Sequence, residues 1–112
     1  MKLSADDAVI PAEKLRDYIL DRMHPDGRAK AEYLGRVGYS AAKWRRLEGD
    51  LRDLLRTSEA RPGRVSPYGE KYEILGSLTG PNGGTAWVRS IWIMRTGETA
   101  PRLVTLIPEA RP

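Results

Sequence analysis

The sequence of 112 residues has no cysteine and only one histidine, and this scarcity limits its chemistry. Without cysteine, the chain can form neither a disulfide framework nor a thiolate metal site. One histidine is poor support for a zinc site, so we expect no metal and no cofactor. No apolar run reaches the roughly 18 residues of a membrane-spanning helix, so we expect no association with a membrane.

Several well-known sequence motifs are also missing. There is no Gly-rich phosphate loop ending in Lys-Ser/Thr, no Gly-x-Ser-x-Gly elbow and no His-Glu-x-x-His pair. The first residues lack the apolar core of a signal peptide, which favours a cytoplasmic location. An enzyme with this sequence would therefore work without a metal, through histidine, arginine, lysine and hydroxyl groups.

The charge is mildly basic, with a formal net charge of +4 from 19 Lys/Arg and 15 Asp/Glu residues. Most of the excess lies in the second half: residues 61–112 have 7 basic and 4 acidic side chains, against 12 and 11 in residues 1–60. Most of the basic residues are arginine, which suits contact with phosphate. Charge of this size is also common on the solvated surface of an ordinary domain.

Apolar residues at helical spacing predict three helices in the first half of the chain. We expect them over residues 11–22, 28–37 and 40–57. The third has an apolar stripe opposite charged residues, typical of a helix that packs on a sheet: Leu47, Leu51, Leu54 and Leu55. The segment His24-Pro25-Asp26-Gly27 is interpreted as a turn in which Gly27 supplies a positive φ.

The second half of the chain predicts strands. Residues 85–95 are rich in β-branched and aromatic side chains on both faces, which indicates a central strand. Residues 71–79 pair with them through Gly80-Pro81-Asn82-Gly83, a hairpin turn with Gly83 in the left-handed region. Residues 101–108 form a further strand. We interpret residues 58–66 as a linker and residues 109–112 as a frayed tail.

These elements predict an α+β fold. About three N-terminal helices should pack on one face of a three- to four-stranded antiparallel meander sheet, leaving the other face free for a ligand. At this length we expect a single domain over residues 1–112, with a helical half at 1–60 and a sheet half at 64–108.

His24 is the first candidate for chemistry, because histidine is the usual acid or base near neutral pH. It precedes a helix whose first residues include Arg28 and Lys30, two cations that would hold a phosphate while the imidazole accepts a proton. The alternative interpretation is that His24 is a solvated turn residue or a capping group.

Arg89 is the second candidate, since it lies in the middle of the central strand on the face of Trp87. A guanidinium among apolar residues needs a partner, which would be a ligand phosphate, open solvent, or the carboxylate of Glu70 or Glu73.

Other residues of the sheet half would help to bind a substrate. Trp87 would stack a base. Tyr68, Lys71 and Tyr72 near the sheet rim would add phenol groups and a cation, although Tyr72 also fits a buried position. Thr105 has a mid-strand hydroxyl that must either pair or face a cleft, and threonine is also an ordinary strand former.

Together these groups suit RNA cleavage by internal attack of a 2′-hydroxyl. A base removes the hydroxyl proton, cations stabilise the phosphorane, and an acid protonates the 5′-oxygen. His24 would be the base, and Lys30 or Tyr68 would serve as the second acid or base.

Six motifs resemble an uncharacterised family of small bacterial domains, over about residues 3–108. They are His24-Pro25-x-Gly27-x-x-Lys30-Ala31, Trp44, Tyr68-Gly69-x-Lys71-Tyr72, Gly80-Pro81-Asn82-Gly83, Trp92-Ile93 and Pro101-Arg102-Leu103-Val104-Thr105. The layout of that family is similar to the barnase–EndoU–colicin–RelE group of metal-independent ribonuclease toxins.

This resemblance implies a histidine and a lysine from the helices facing an arginine and a hydroxyl on the sheet. The matching positions are His24, Lys30, Arg89 and Thr105. It also implies RNA as substrate and a cognate antitoxin or immunity protein as partner. The chain departs from that family at Leu106-Ile107-Pro108, where an aromatic residue precedes the final proline in other members.

Three functional hypotheses follow from the sequence. The first is a toxin-like, metal-independent RNA endonuclease. The second is a non-catalytic protein-binding module of a toxin–antitoxin type operon. The third is a small basic protein that binds nucleic acid without chemistry, with strongly salt-dependent affinity.

Overall fold

The structure, a computed structural model, describes residues 1–109. Helix α1 (Ala12–Lys14) continues as a π-helix (Leu15–Ile19) and is followed by α2 (Arg28–Gly35), a 3-10 helix (Ala41–Lys43) and α3 (Trp44–Thr57). Strands β1 (Arg61–Ser66), β2 (Gly69–Thr79), β3 (Thr85–Arg95) and β4 (Pro101–Pro108) form one sheet in that order. All neighbouring strands are antiparallel. The predicted α+β class is confirmed.

Helix α3 is the main packing helix, as its leucine stripe predicts. Its four stripe leucines are buried: Leu47, Leu51, Leu54 and Leu55. Gly76 on β2 lets the helix approach closely, because a Cβ there would lie 2.8 Å from a methyl group of Leu54. The helix also fixes the N-terminal segment, since Arg52 donates hydrogen bonds of 2.8 and 2.9 Å to the carbonyl groups of Ala5 and Ala8.

The first helix is shorter than predicted. It ends at Ile19 rather than near Arg22, because its last turn is a π-helix in which the N–H of Leu20 donates to the carbonyl of Leu15 at 2.8 Å. A π-turn inserts an extra residue into the helical repeat and is often found at functional positions. Here it allows Leu15 and Ile19 to be fully buried while Tyr18 remains half-buried.

The sheet has an additional strand where a linker was expected. Strand β1 pairs with β2, with an irregular register between Pro62 and Val65. Its Arg-Pro-Gly composition hides this pairing from sequence analysis, because proline fits only an edge strand or a bulge. As the edge strand of the sheet, β1 can accommodate Pro62 without losing a bond to a second neighbour.

The hairpin between β2 and β3 forms as predicted. Gly83 has a φ of +88° and donates to the carbonyl of Gly80 at 2.9 Å. The turn is also hydrogen-bonded to the helical half, since the N–H of Asn82 donates to the carbonyl of Val37 at 3.2 Å. In the predicted tail, Glu109 is ordered by an N–H bond of 3.0 Å to the carbonyl of Trp87. The remaining residues 110–112 lie outside the described part.

The two faces of the sheet differ sharply. The face toward the helices is apolar and fully buried at Ile74, Val88, Trp92 and Leu106. Its one buried polar side chain among residues 1–109, Ser90, accepts a 2.9 Å hydrogen bond from the indole of Trp92. The opposite face, which we call the open face, is not covered by any of the helices in residues 1–109.

A charge-assisted network lies beside α3 at the edge of the core, where Tyr39 is buried, Asp50 is half-buried and Arg46 is exposed. The hydroxyl of Tyr39 donates to the carboxylate of Asp50 at 2.6 Å, and Arg46 pairs with the same carboxylate at 2.9 Å. Burial, and then the hydrogen bond to Asp50, raise the pKa of Tyr39 well above its ordinary value.

No helix within residues 1–109 combines the length and apolarity needed to cross a bilayer.

We predict a large difference between two leucine-to-alanine substitutions on opposite sides of the sheet. Leu51→Ala should lower the free energy of unfolding by about 2–5 kcal/mol, because Leu51 is fully buried and its removal leaves a cavity. Leu75→Ala on the open face, where Leu75 is 37% exposed, should cost less than about 1 kcal/mol. Urea unfolding measures both, and equal losses would show that the open face is covered in solution.

Candidate functional site

The open face contains a broad hollow beneath β1. One cavity of about 560 Å³ is lined by Arg64, Val65, Ser66, Tyr68, Lys71, Ile93 and Val104. A second of about 330 Å³ is lined by Gly63, Arg64, Lys71, Glu73 and Ile91. The two share Arg64 and Lys71 and therefore form one depression, the open-face groove, defined by Arg64, Tyr68, Lys71, Ile91, Ile93 and Val104.

The groove combines cations with an apolar floor. Within residues 1–109, neither Arg64 nor Lys71 has a carboxylate partner within ion-pair distance. Ile91 and Ile93 are only half-buried because no helix covers them. Tyr68 is 79% exposed at the edge. Cations beside apolar surface and an exposed ring are the features with which proteins bind the phosphates and bases of single-stranded nucleic acid.

Arg89 lies beside this groove, and its charge is already matched. Its guanidinium is 3.4 Å from Glu73 and 2.8 Å from Glu109. Glu73 was one of the two carboxylates expected from the sequence, and Glu109 was expected in a frayed tail. A phosphate that binds Arg89 must therefore share or displace these carboxylates.

His24 caps the turn that leads into α2. Its Nδ1 accepts hydrogen bonds from the N–H groups of Asp26 and Gly27 at 3.0 and 3.1 Å, and its carbonyl accepts from Arg28 at 2.9 Å. The imidazole thus caps the turn of residues 25–27 that precedes α2, whose first residue is Arg28. Gly27 has a φ of −91°, so the expected positive φ is wrong. Glycine is needed there because a Cβ would collide with the carbonyl of Tyr18.

These hydrogen bonds fix the tautomer of His24. A neutral imidazole has one lone pair and one proton on its two ring nitrogens. Because Nδ1 accepts two backbone hydrogen bonds, Nε2 carries the proton. In this conformation the side chain therefore offers a hydrogen-bond donor. Proton transfer by His24 requires Nδ1 to release its backbone partners.

Tyr18 connects His24 to the sheet. The rings of Tyr18 and His24 are 5.0 Å apart, and the hydroxyl of Tyr18 is 3.0 Å from Oγ1 of Thr105. The ammonium group of Lys14 lies 6.0 Å from the centre of the Tyr18 ring. We call these four residues the Tyr18 cluster: Lys14, Tyr18, His24 and Thr105.

A bulge in β4 joins the Tyr18 cluster to the open-face groove. Thr105 pairs with Ile91 and Leu103 pairs with Trp92, so Val104 is an extra residue between them. Val104 lines the groove while Thr105 contacts Tyr18. Bulges of this kind redirect side chains and are frequent beside active sites.

The remaining candidate residues lie on different elements of the structure. Arg89 is paired with Ile107, two residues along β4 from Thr105, so both lie on neighbouring positions of the sheet. Lys30 is half-buried on α2, a helix that packs against β4. Arg28 is exposed and pairs with Glu32 at 3.3 Å. Arg28 contacts His24 through the backbone, since its N–H donates to the carbonyl of His24 at 2.9 Å. Within residues 1–109, no hydrogen bond or ion pair joins His24 to Lys30 or Arg89.

Tyr72 and Trp87 have structural contacts of their own. Tyr72 pairs with Trp92 and so belongs to the helix-facing side, away from the groove. Its hydroxyl donates to Glu70 at 2.9 Å, and this bond, followed by burial, raises its pKa. Trp87 is half-buried, and its carbonyl accepts a 2.8 Å hydrogen bond from Tyr33.

Arg64, Lys14 and Tyr18 were not among the predicted site residues. Arg64 lies in the segment expected to be a linker, and the pairing of β1 with β2 brings it to the groove. Tyr18 lies in the helix predicted over residues 11–22, and nothing in its spacing indicates the π-turn. Among residues 1–109, no three His, Cys, Asp or Glu side chains come together as a metal site.

The sequence matches a known domain family over residues 2–110, almost its entire length. The chain belongs to the family described as Domain of unknown function (DUF6883). The resemblance to an uncharacterised family is thereby confirmed. No curated protein matches this DUF6883 domain in sequence.

A solved structure shares the fold. It is a chain of the contact-dependent growth inhibition toxin–immunity protein complex from Klebsiella pneumoniae 342. The TM-score is 0.70 at 17% sequence identity, and the match covers 91% of the DUF6883 chain and 100% of the other chain. At this identity the similarity concerns the fold alone.

We predict that two substitutions of His24 differ in their effect on stability. His24→Ala should lower the free energy of unfolding by about 1 kcal/mol, because the N–H groups of Asp26 and Gly27 lose their acceptor. His24→Asn should stay within about 0.5 kcal/mol of the wild type, since its Oδ1 occupies the place of Nδ1. Met23→Ala, at a neighbouring side chain that is 89% exposed, is the control. Urea unfolding of the three variants is the measurement, and equal losses for the two His24 variants would contradict the capping role.

Proposed function

We propose that this domain is a toxin-like RNA endonuclease that works without a metal and is neutralised by a cognate protein. The observation that supports it best is the open-face groove, in which unpaired Arg64 and Lys71 flank an apolar floor. The bulge in β4 places a threonine hydroxyl beside this groove. The shared fold with a chain of a toxin–immunity protein complex supports the toxin class and the neutralising partner.

The groove fits a segment of single-stranded RNA. Arg64 and Lys71 would bind successive phosphates, because arginine and lysine donate charge-assisted hydrogen bonds to phosphate oxygens. Tyr68, with most of its ring in solvent, would stack a base. Ile91 and Ile93 would contact the sugar and base edges from below. This binding mode depends little on sequence, since every base has a face that can stack.

Cleavage in this proposal depends mainly on electrostatic stabilisation. Arg89 and Lys30 would balance the negative charge that develops on the phosphorane, and Thr105 would position the reacting ribose. His24 would accept the 2′-hydroxyl proton after the hydrogen bonds from the N–H groups of Asp26 and Gly27 to its Nδ1 are broken. Such rearrangement is compatible with catalysis, because catalytic hydrogen bonds often form only in the substrate complex. Lys30 or Tyr68 would protonate the departing 5′-oxygen.

A second candidate function is a non-catalytic binding module. Two contacts favour it: the neutralisation of Arg89 by Glu73 and Glu109, and the use of Nδ1 of His24 as a helix cap. Binding of RNA without chemistry would give salt-dependent association and no cleavage. A protein-binding module would give no association with RNA even at low salt, and its partner would contact the exposed apolar residues of the open face.

We predict that the wild-type domain cleaves labelled single-stranded RNA in the presence of EDTA and leaves 2′,3′-cyclic phosphate ends. Lys71→Ala and Arg89→Ala should each lower the cleavage rate by about 100-fold, because each removes a cation that stabilises transition-state charge. Lys43→Ala is the matched control, since it removes an exposed cation from the helical half. Urea unfolding checks that each variant is folded. Full activity in both groove variants, or no cleavage by the wild type, would refute the proposal.

The His24 variants also test proton transfer. We predict that His24→Asn lowers the RNA cleavage rate by about 100-fold although it preserves the helix cap, because an amide cannot accept the 2′-hydroxyl proton. A single-turnover assay on the same RNA gives the rate. If His24→Asn cleaves like the wild type, His24 is a capping residue, and catalysis rests on Arg89, Lys30 and Thr105 alone.

A further inference from the structure

The hydroxyl of Tyr18 has a contact that its place on an apolar helix face does not require. It is half-buried and reaches across to the edge strand β4, where it lies 3.0 Å from Oγ1 of Thr105. A phenylalanine would fill the same space against the core. The hydroxyl therefore contributes something that packing alone does not supply.

The hydrogen bonds of Thr105 bear on the direction of this contact. Its hydroxyl has one proton and two lone pairs. The carbonyl of Leu106, at 3.3 Å, can accept the proton. In the 3.0 Å contact itself either hydroxyl could be the donor; when Thr105 donates its proton to Leu106, Tyr18 is the donor. One lone pair of Oγ1 then remains for a further donor.

Several features hold the ring of Tyr18 in this position. The π-helical turn sets its place on α1, and the absence of a side chain at Gly27 leaves room for the carbonyl and ring of Tyr18. His24 packs against the ring at 5.0 Å. A cavity of about 330 Å³, lined by Pro11, Glu13, Lys14 and Tyr18, leaves part of the residue open to solvent. The contact is thus preorganised at an accessible corner.

We infer that Tyr18 is a positioning residue for the proposed RNA cleavage. By donating to Oγ1, it turns the threonine so that its remaining lone pair can accept a hydrogen bond from the 2′-hydroxyl of the ribose next to the reacting one, whose own 2′-hydroxyl proton goes to His24. This inference rests on the proposed function. It also gives a reason why the domain would bind RNA rather than DNA. Only RNA has the 2′-hydroxyl donor that this arrangement recognises.

The test compares Tyr18→Phe with Tyr33→Phe. Both remove one half-buried hydroxyl from the helical half, and that of Tyr33 donates to a backbone carbonyl at 2.8 Å. Tyr18→Phe should lower kcat for RNA cleavage about tenfold with KM nearly unchanged. Thr105→Val should lower kcat at least as much, whereas Thr105→Ser should retain activity. The double variant Tyr18→Phe/Thr105→Val should be no slower than Thr105→Val alone, because both changes remove one interaction.

Tyr33→Phe should cleave RNA at the wild-type rate. This control shows whether the loss of any half-buried hydroxyl slows cleavage or only the loss of the one that contacts Thr105. If the wild-type domain cleaves RNA and Tyr18→Phe cleaves it equally fast, the inference is overturned and the proposed function remains intact. Multiplying losses in the double variant would also overturn it, since Tyr18 would then act apart from Thr105. A wild-type domain that cleaves no RNA would overturn both.

Discussion

The burial of the α3 leucine stripe against one face of the β2–β3 hairpin is the contact on which the rest of the structure depends. It gives the sheet one covered face and one open face, and it requires Gly76 so that Leu54 can approach the strand. The apolar residues of β3 on the covered side, including Trp92, then form the core. Those on the other side remain available to a ligand.

Because the helices occupy one face, the open-face groove lies on the other face, and the Tyr18 cluster lies at the β4 edge. Strand β1 pairs with β2 at the sheet edge and adds Arg64 to the lining of the groove, while Thr105 at the β4 bulge contacts Tyr18. The groove is therefore built from strand pairing, and the Tyr18 cluster is built from the contact of the N-terminal helices with the edge strand. The bulge is the only place at which the two parts share consecutive residues among those described.

Much of this fold can be predicted from local patterns. The stripe of Leu47 and Leu51 has helical spacing, residues 85–95 have the composition of a central strand, and Gly83 has the φ that its hairpin requires. Each of these signals acts over a few residues. The strand at residues 61–66 could not be predicted, because its proline and glycine obscure a pairing that depends on β2 being present.

The candidate site was predictable only in part, since a site depends on which distant residues meet. The type and position of Arg89 indicated a partner, and Glu73 was one of the two carboxylates expected on the paired strand. Glu109 was not expected, because its contact with Arg89 joins residues far apart in the sequence. A capping role for His24 was one of the alternatives predicted from its place in the turn that contains Pro25. The link between His24 and Thr105 was not, because it runs through Tyr18, whose orientation depends on the π-turn.

The pair of carboxylates on Arg89 has a consequence for which anions this surface can hold. A free anion from solution meets a guanidinium that is already neutralised, so it gains little by exchanging places with Glu73 and Glu109. A polyanion whose neighbouring charges are already held by Arg64 and Lys71 reaches Arg89 at high local concentration and can displace them. If the open-face groove binds RNA as proposed, intramolecular competition of this kind would make the surface unresponsive to small phosphates and selective for a chain of them.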